Sequence, residues 1–306
     1  IEREGPVRST LSWSGEFLDG GGERLFSFRL RASVYAYSSR VLLQPLILVD
    51  PDSGVLCNLR ELRLRITLPG TTGAIIGGDP NWTGDTAIPT RLFQRDDEQY
   101  DLDGASGGKA PGWAEIQSSM CSVSLAMRDF WQQWPKSLEV DGDDLVLGLL
   151  PTFNEGDFAH MLPDYKHQWF FANNTYQLRT GQARSWDIWL AVESDGADLA
   201  QLANCPPVLV ADPLRATASG VWGEIQPAGS PGMRDYDPWA EQLFHCYCHS
   251  VEVQRDYGAM NWGDWFGERQ INWGNHEYDT TNQLLLQFAR TGDPLFQRRA
   301  EEGIRH

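Results

Sequence analysis

Short apolar runs recur at close spacing between residues 25 and 193, each ended by turn residues, and this series constrains the fold more than any other feature. LFSFRLRASVYAY (25–37), VLLQPLILV (41–49), LRLRITL (62–68), SMCSVSLAMRDF (119–130), LVLGLLP (145–151), KHQWFFA (166–172) and SWDIWLAVE (185–193) follow one another along the chain. Several of them alternate apolar and polar residues, the period of a strand with one buried face. The glycines at 20–22, the Pro51, Asp52, Ser53, Gly54 run and the Asp141, Gly142, Asp143 run supply turn chemistry between them. Many short strands with scarcely a helical period predict an antiparallel β-sandwich domain over residues 1–212. The polar, Gly- and Asp-rich stretch 77–112 is expected as an extended excursion from it.

Near Cys205, Pro206 and Pro207 the texture changes. Residues 239–254 follow a helical pattern, with Asp237 as the expected N-cap and Pro238 in the first turn. Residues 280–290 place Leu284, Leu285 and Phe288 on one side of a second helix, which Thr291, Gly292, Asp293 and Pro294 end. Pro294 opens a last helix carrying Phe296 and Ile304. Residues 213–306 are therefore expected as helical hairpins, too few to close a bundle or toroid of the usual size. The chain opens inside a strand-like run at Ile1 and stops within a helical pattern at His306, so it reads as part of a longer polypeptide.

The 42 acidic and 25 basic residues give a net charge of −17, which disfavours nucleic acid and anionic membrane as partners. No apolar run approaches the length of a membrane span. Five scattered cysteines do not form a disulfide framework. On a helix His245 and His249 share a face while Cys246 and Cys248 point elsewhere, so this run supplies no four-ligand zinc site and reads as a buried helix. The acidic turns at Asp50 and Asp52, at Asp101 and Asp103, and at 141–144 would suit calcium, but none has EF-hand spacing. No cofactor is expected.

The chemistry concentrates in RDYGAMNWGDWFGERQINWGNHEYD (255–279), which follows neither helical nor strand period and reads as a long structured loop. Flat aromatic faces beside carboxylates, amides and a guanidinium suit a sugar, with its apolar C–H faces and rim of hydroxyls. Trp262, Trp265 and Trp273 are the expected sugar platforms, with Asp264 and Asn275 as polar contacts. His276 and Tyr278 are proton-transfer types, and Asp279 a natural N-cap for the helix that follows. Asp264, Glu268 and Glu277 offer a glycosidase-like carboxylate pair. In the β region, Arg128 opens the dense run RDFWQQWPK (128–136), and Lys166 and His167 set a cation beside an imidazole.

RDFWQQWPKSLEV (128–140), the Lys166-His167 pair and the 257–293 block together resemble the exo-rhamnogalacturonan lyase and YetA-like group, similar to polysaccharide lyase family 26. REGPVRSTL (3–11) is similar to the start of the central sandwich of that group. The resemblance spans most of the chain. It implies a central β-sandwich followed by the start of an incomplete α/α toroid, with an N-terminal barrel and the rest of the toroid elsewhere in the same polypeptide. It also implies β-elimination on a uronic-acid-containing polysaccharide such as rhamnogalacturonan. That chemistry neutralises a uronic carboxylate, removes the adjacent proton and expels the glycosidic oxygen. On chemical grounds Arg269, Asn275 and Lys166 are the residues here suited to neutralisation, and His276 and Tyr278 to proton transfer, with Glu277 as a further catalytic group. Hydrolysis by a carboxylate pair and glycan binding without catalysis are the alternatives. An extracellular or periplasmic setting is expected.

Overall fold

A computed structural model describes residues 1–161, 170–265, 274–275 and 278–306. The chain divides into two compact units, Ile1–Pro206 and Pro207–His306.

Three antiparallel sheets make up most of the first unit. The nine-stranded sheet runs, in spatial order, Arg8–Leu18, Arg24–Tyr35, Arg40–Leu48, Ile188–Val192, Ser122–Met127, Trp113–Ser118, Thr71–Ile76 and Trp82–Gly84, with Ala183–Ser185 also pairing with Arg40–Leu48. Its middle is the apolar heart of the unit, where Ile76, Ile116 and Leu125 are fully buried. Each such side chain contributes about 1.5–3 kcal/mol by leaving water. A six-stranded sheet is built round Lys136–Asp141 and Asp144–Leu150, whose Leu138, Leu145 and Leu147 are equally buried. A third, small sheet joins Phe171–Ala172, Thr175–Arg179 and Leu56–Leu59.

The stretch 77–112 does not project from the sandwich as its polarity suggests. It supplies Trp82–Gly84 to the nine-stranded sheet and Thr90–Gln94, Tyr100–Leu102 and Ala105–Gly107 to the six-stranded one. Gln94, fully buried, satisfies this polar segment from inside. Its Oε1 accepts the Ala110 N–H at 2.8 Å, and its Nε2 donates to the Asp96 carbonyl at 2.7 Å and the Gly108 carbonyl at 3.0 Å.

The first helix, α1 (Gly196–Asn204), belongs to the β unit. Asp195 caps it by accepting the Ala197 and Asp198 N–H groups, and Leu199, Ala200 and Ala203 pack on Trp113, Ala126 and Ala191 of the large sheet. Gly196 makes this approach feasible, because a Cβ there would lie 2.2 Å from Trp113 Cε3.

The second unit carries α2 (Pro213–Ala218), α3 (Tyr236–Val253), α4 (Thr280–Thr291) and α5 (Pro294–Arg305). Gly292, at φ 74°, ends α4 in the left-handed conformation and Asp293 caps α5 through the Leu295 N–H. Phe244 of α3, Leu284 of α4 and Phe296 and Ala300 of α5 form one apolar cluster, with the Phe244 and Phe296 centroids 4.2 Å apart.

That cluster corrects the expected fold class. A mainly β sandwich is present, but among the described residues no α/α toroid follows it. Among the described residues there are five α-helices, one of which packs on the sheet, and α3, α4 and α5 converge on a single small core. A toroid needs successive helix pairs that lay out inner and outer rings, and this arrangement does not do so. Two local expectations also change. Asp235, not Asp237, stands at the α3 cap position, and Asp237 turns back to accept the Gly229 N–H at 2.8 Å. Nor is α3 a buried helix, since only Phe244 and Val251 on it are buried while Trp239 is 57% exposed.

Candidate functional site

The helical unit contains a groove of about 630 Å³ whose walls come from α3, α4, α5 and the aromatic loop. Trp265 and Tyr278 are the two sequence-predicted residues that the structure brings together here. Their ring centroids are 6.1 Å apart, and Tyr247 of α3 meets the indole edge-on at 5.8 Å. Tyr278 is 52% exposed. Burial pushes the Tyr247 hydroxyl well above its ordinary range, so it faces the groove as a hydroxyl and not as a phenolate.

The main chain around Trp265 is fixed from both sides. Its N–H donates to Asp264 Oδ1 at 2.8 Å and its carbonyl accepts the Gly274 N–H at 2.8 Å. Gly274 is required by the indole itself, because a Cβ there would sit 2.7 Å from Trp265 Cζ2. Further along the groove lie Tyr236 and Trp239 of α3, with ring centroids 5.7 Å apart. Gln283 and Gln287 of α4 provide amides.

The other predicted site residues that the structure describes fall elsewhere. Asp264 is 5% exposed and accepts the Asn275 N–H as well as that of Trp265, while His306 Nε2 lies 3.4 Å from its second oxygen. Asn275 is spent on protein: its Nδ2 donates to the Gly263 and Gly303 carbonyls, and its Oδ1 accepts from Thr281 Oγ1 at 3.0 Å. Trp262, expected as a platform, is buried and stacked on Tyr257 at 5.4 Å. Asp279 occupies the α4 cap position at φ 53° without capping it, and accepts from Asn282 Nδ2 instead. Arg269, Trp273, His276, Glu277, Glu268, Lys166 and His167 lie outside the described residues.

Arg128 belongs to the β unit, in a buried polar seam. Its Nε is 3.6 Å from Asp129 Oδ2 and its N–H donates to the Asp187 carbonyl. Asp187 in turn accepts from Gln44 Nε2 at 2.9 Å. Lys136 is fully buried in the same region, with its Nζ on the Gln133 and Pro135 carbonyls. Desolvation, reinforced by Arg184, holds Lys136 well below the ordinary lysine range. Desolvation also lowers Arg184 to about 10, against the pull of Asp129. In the acidic turns, Asp50 accepts from Ser27, Asp103 from the Arg91 N–H and Asp143 from the Thr71 N–H.

Sequence reasoning missed Tyr236, Trp239, Tyr247, Gln283 and Gln287. Tyr236, Trp239 and Tyr247 share one helix with apolar residues that do pack, so aromaticity alone does not separate groove from core. The amide pair at i and i+4 on α4 is the one signal that was available.

No family model matches the chain. Among curated proteins it is similar to the uncharacterized protein YetA of Bacillus subtilis, 26% identical over 238 residues, covering 65% of this chain and 27% of that protein. The chain thus spans about a quarter of the length of that relative. Among solved structures, a candidate aldose 1-epimerase from Klebsiella pneumoniae aligns at TM-score 0.36 and 8% identity, over 65% of this chain and 54% of that one. The galactosidase domain of an alpha-galactosidase-sucrose kinase aligns at TM-score 0.35 and 10% identity, over 61% and 27%. A TPR-domain containing protein from Parabacteroides distasonis aligns at TM-score 0.36 and 10% identity, over 97% and 51%. TM-scores this low mark partial likeness only.

Proposed function

We propose that this chain is part of a carbohydrate-active protein, and that the aromatic groove of the helical unit holds a sugar. The observation that carries the reading is the placing of Trp265 between Tyr247 and Tyr278 on the wall of a groove that also carries Gln283 and Gln287. An indole face covers the C–H side of a pyranose, and phenol and amide groups exchange hydrogen bonds with its hydroxyls. The groove volume lies within the range of ordinary ligand sites.

The finer reading is elimination on a uronic-acid-containing glycan such as rhamnogalacturonan. Tyr278 supports it: an exposed phenol at the sugar platform is placed to move a proton. On the chemistry of the loop, Arg269 would neutralise the uronate and His276 would share the proton transfer. Hydrolysis through Asp264 is disfavoured, because that carboxylate is buried and engaged by two main-chain N–H groups. The test follows absorbance in the unsaturated-uronate band with rhamnogalacturonan as substrate. Elimination predicts a rise that Tyr278→Phe reduces at least about tenfold. New reducing ends without that absorbance would instead assign hydrolysis.

A further inference from the structure

Tyr236 is held by a chain of hydrogen bonds whose polarity is chemically fixed. Arg290 carries only donors, so the Gln287 atom that receives its Nη1 at 2.7 Å must be the amide oxygen. The Gln287 NH₂ then faces Tyr236 and donates to its Oη at 2.8 Å. With one lone pair so occupied, the phenolic proton turns away from Gln287. The rest of Arg290 is equally committed: Nε donates to the Gln226 carbonyl at 2.8 Å, Nη2 pairs with Asp237 Oδ1, and the guanidinium carbon lies 4.8 Å from the Tyr236 ring centroid. Arg290 is 5% exposed, so it cannot swing out to release the amide. Tyr236 itself is 38% exposed and lines the groove with Gln287.

We infer that Tyr236 is a directed hydrogen-bond donor of the groove, recognising an acceptor oxygen of the bound glycan, with Gln287 and Arg290 as the residues that set its direction. This rests on the groove being a glycan site and adds how that site selects its ligand. A ring or glycosidic oxygen, which can only accept, meets a hydroxyl whose proton is already turned away from Gln287.

Two variants test the chain while sparing the fold. Tyr236→Phe removes the hydroxyl. Gln287→Glu keeps the partner of Arg290 but turns the second polar atom into an acceptor, which draws the Tyr236 proton away from the groove. Calorimetric titration would use the full chain with rhamnogalacturonan, galactan and xylan oligosaccharides as probes. For the probe that wild type binds, each single variant loses about tenfold in affinity, and the double variant loses no more than either alone. Melting temperatures, followed by circular dichroism, stay close to wild type. Single variants that bind as wild type, or a double variant whose losses multiply to about a hundredfold, would overturn the inference and leave the glycan groove standing. No binding of any probe by wild type would overturn both.

Discussion

The Asp264 carboxylate accepts the main-chain N–H of Asn275 at 2.8 Å, joining two positions within the aromatic loop that are eleven residues apart. The same oxygen takes the Trp265 N–H, and Asn275 carries the connection on to the Gly303 carbonyl of α5. The loop is therefore anchored by an acid that sequence alone presents as a catalytic candidate.

Asp264→Ala leaves two main-chain N–H groups without their acceptor in a buried place. The expected cost is about 1–3 kcal/mol of stability. Chemical denaturation of the full chain measures it. An unchanged midpoint would mean that the clasp does not hold the loop.

Asp237 gives the helical unit an acid-sensitive joint. Burial alone would raise this carboxyl, but the Gly229 N–H and the Arg290 guanidinium outweigh it and hold it below the usual range. A depressed carboxyl stabilises above the unfolded pKa of about 3.9, and that contribution disappears as pH falls through the folded value. Asp237→Asn is expected to cost about 2 kcal/mol at neutral pH. The gap between variant and wild type then closes in strong acid. A gap that persists unchanged at low pH would place the effect elsewhere.

Lys136 acts at the other end of the pH range. Its folded pKa is depressed by desolvation and by Arg184, so between that value and about 10.4 the unfolded chain holds a proton that the folded chain lacks. Stability of the β unit therefore rises with pH across this window, by up to about 1.4 kcal/mol per pH unit from this group. Lys136→Met removes that slope and leaves the Gln133 and Pro135 carbonyls without their donor. Denaturation midpoints of both proteins across mildly alkaline pH are the measurement. Parallel curves would contradict a depressed Lys136 in the folded chain.

Thr71–Ile76, Trp113–Ser118, Lys136–Asp141 and Thr175–Arg179 were not singled out, whereas a run such as 62–68 was legible because period-2 burial writes itself into composition, and α4 and α5 because Gly292, Asp293 and Pro294 mark their junction. Residues 77–112 were not. Their polarity is satisfied from inside by buried side chains such as Gln94 and Asp96, which bond to main-chain atoms that leave no sequence signature. The toroid came from likeness to a family and not from any periodicity in residues 213–306. In the site, Trp265 and Tyr278 stood out through loop composition. Tyr236 and Gln287 did not, because a tyrosine and a glutamine 51 residues apart acquire meaning only when α3 and α4 bring them within a hydrogen bond.

The central claim is that the groove around Trp265 holds a sugar, and calorimetric titration of the full chain with rhamnogalacturonan, galactan and xylan oligosaccharides tests it most directly. Saturable binding by wild type, weakened at least about tenfold in Trp265→Ala, is the predicted result. Binding that survives Trp265→Ala unchanged, or no binding of any of these glycans, would contradict it.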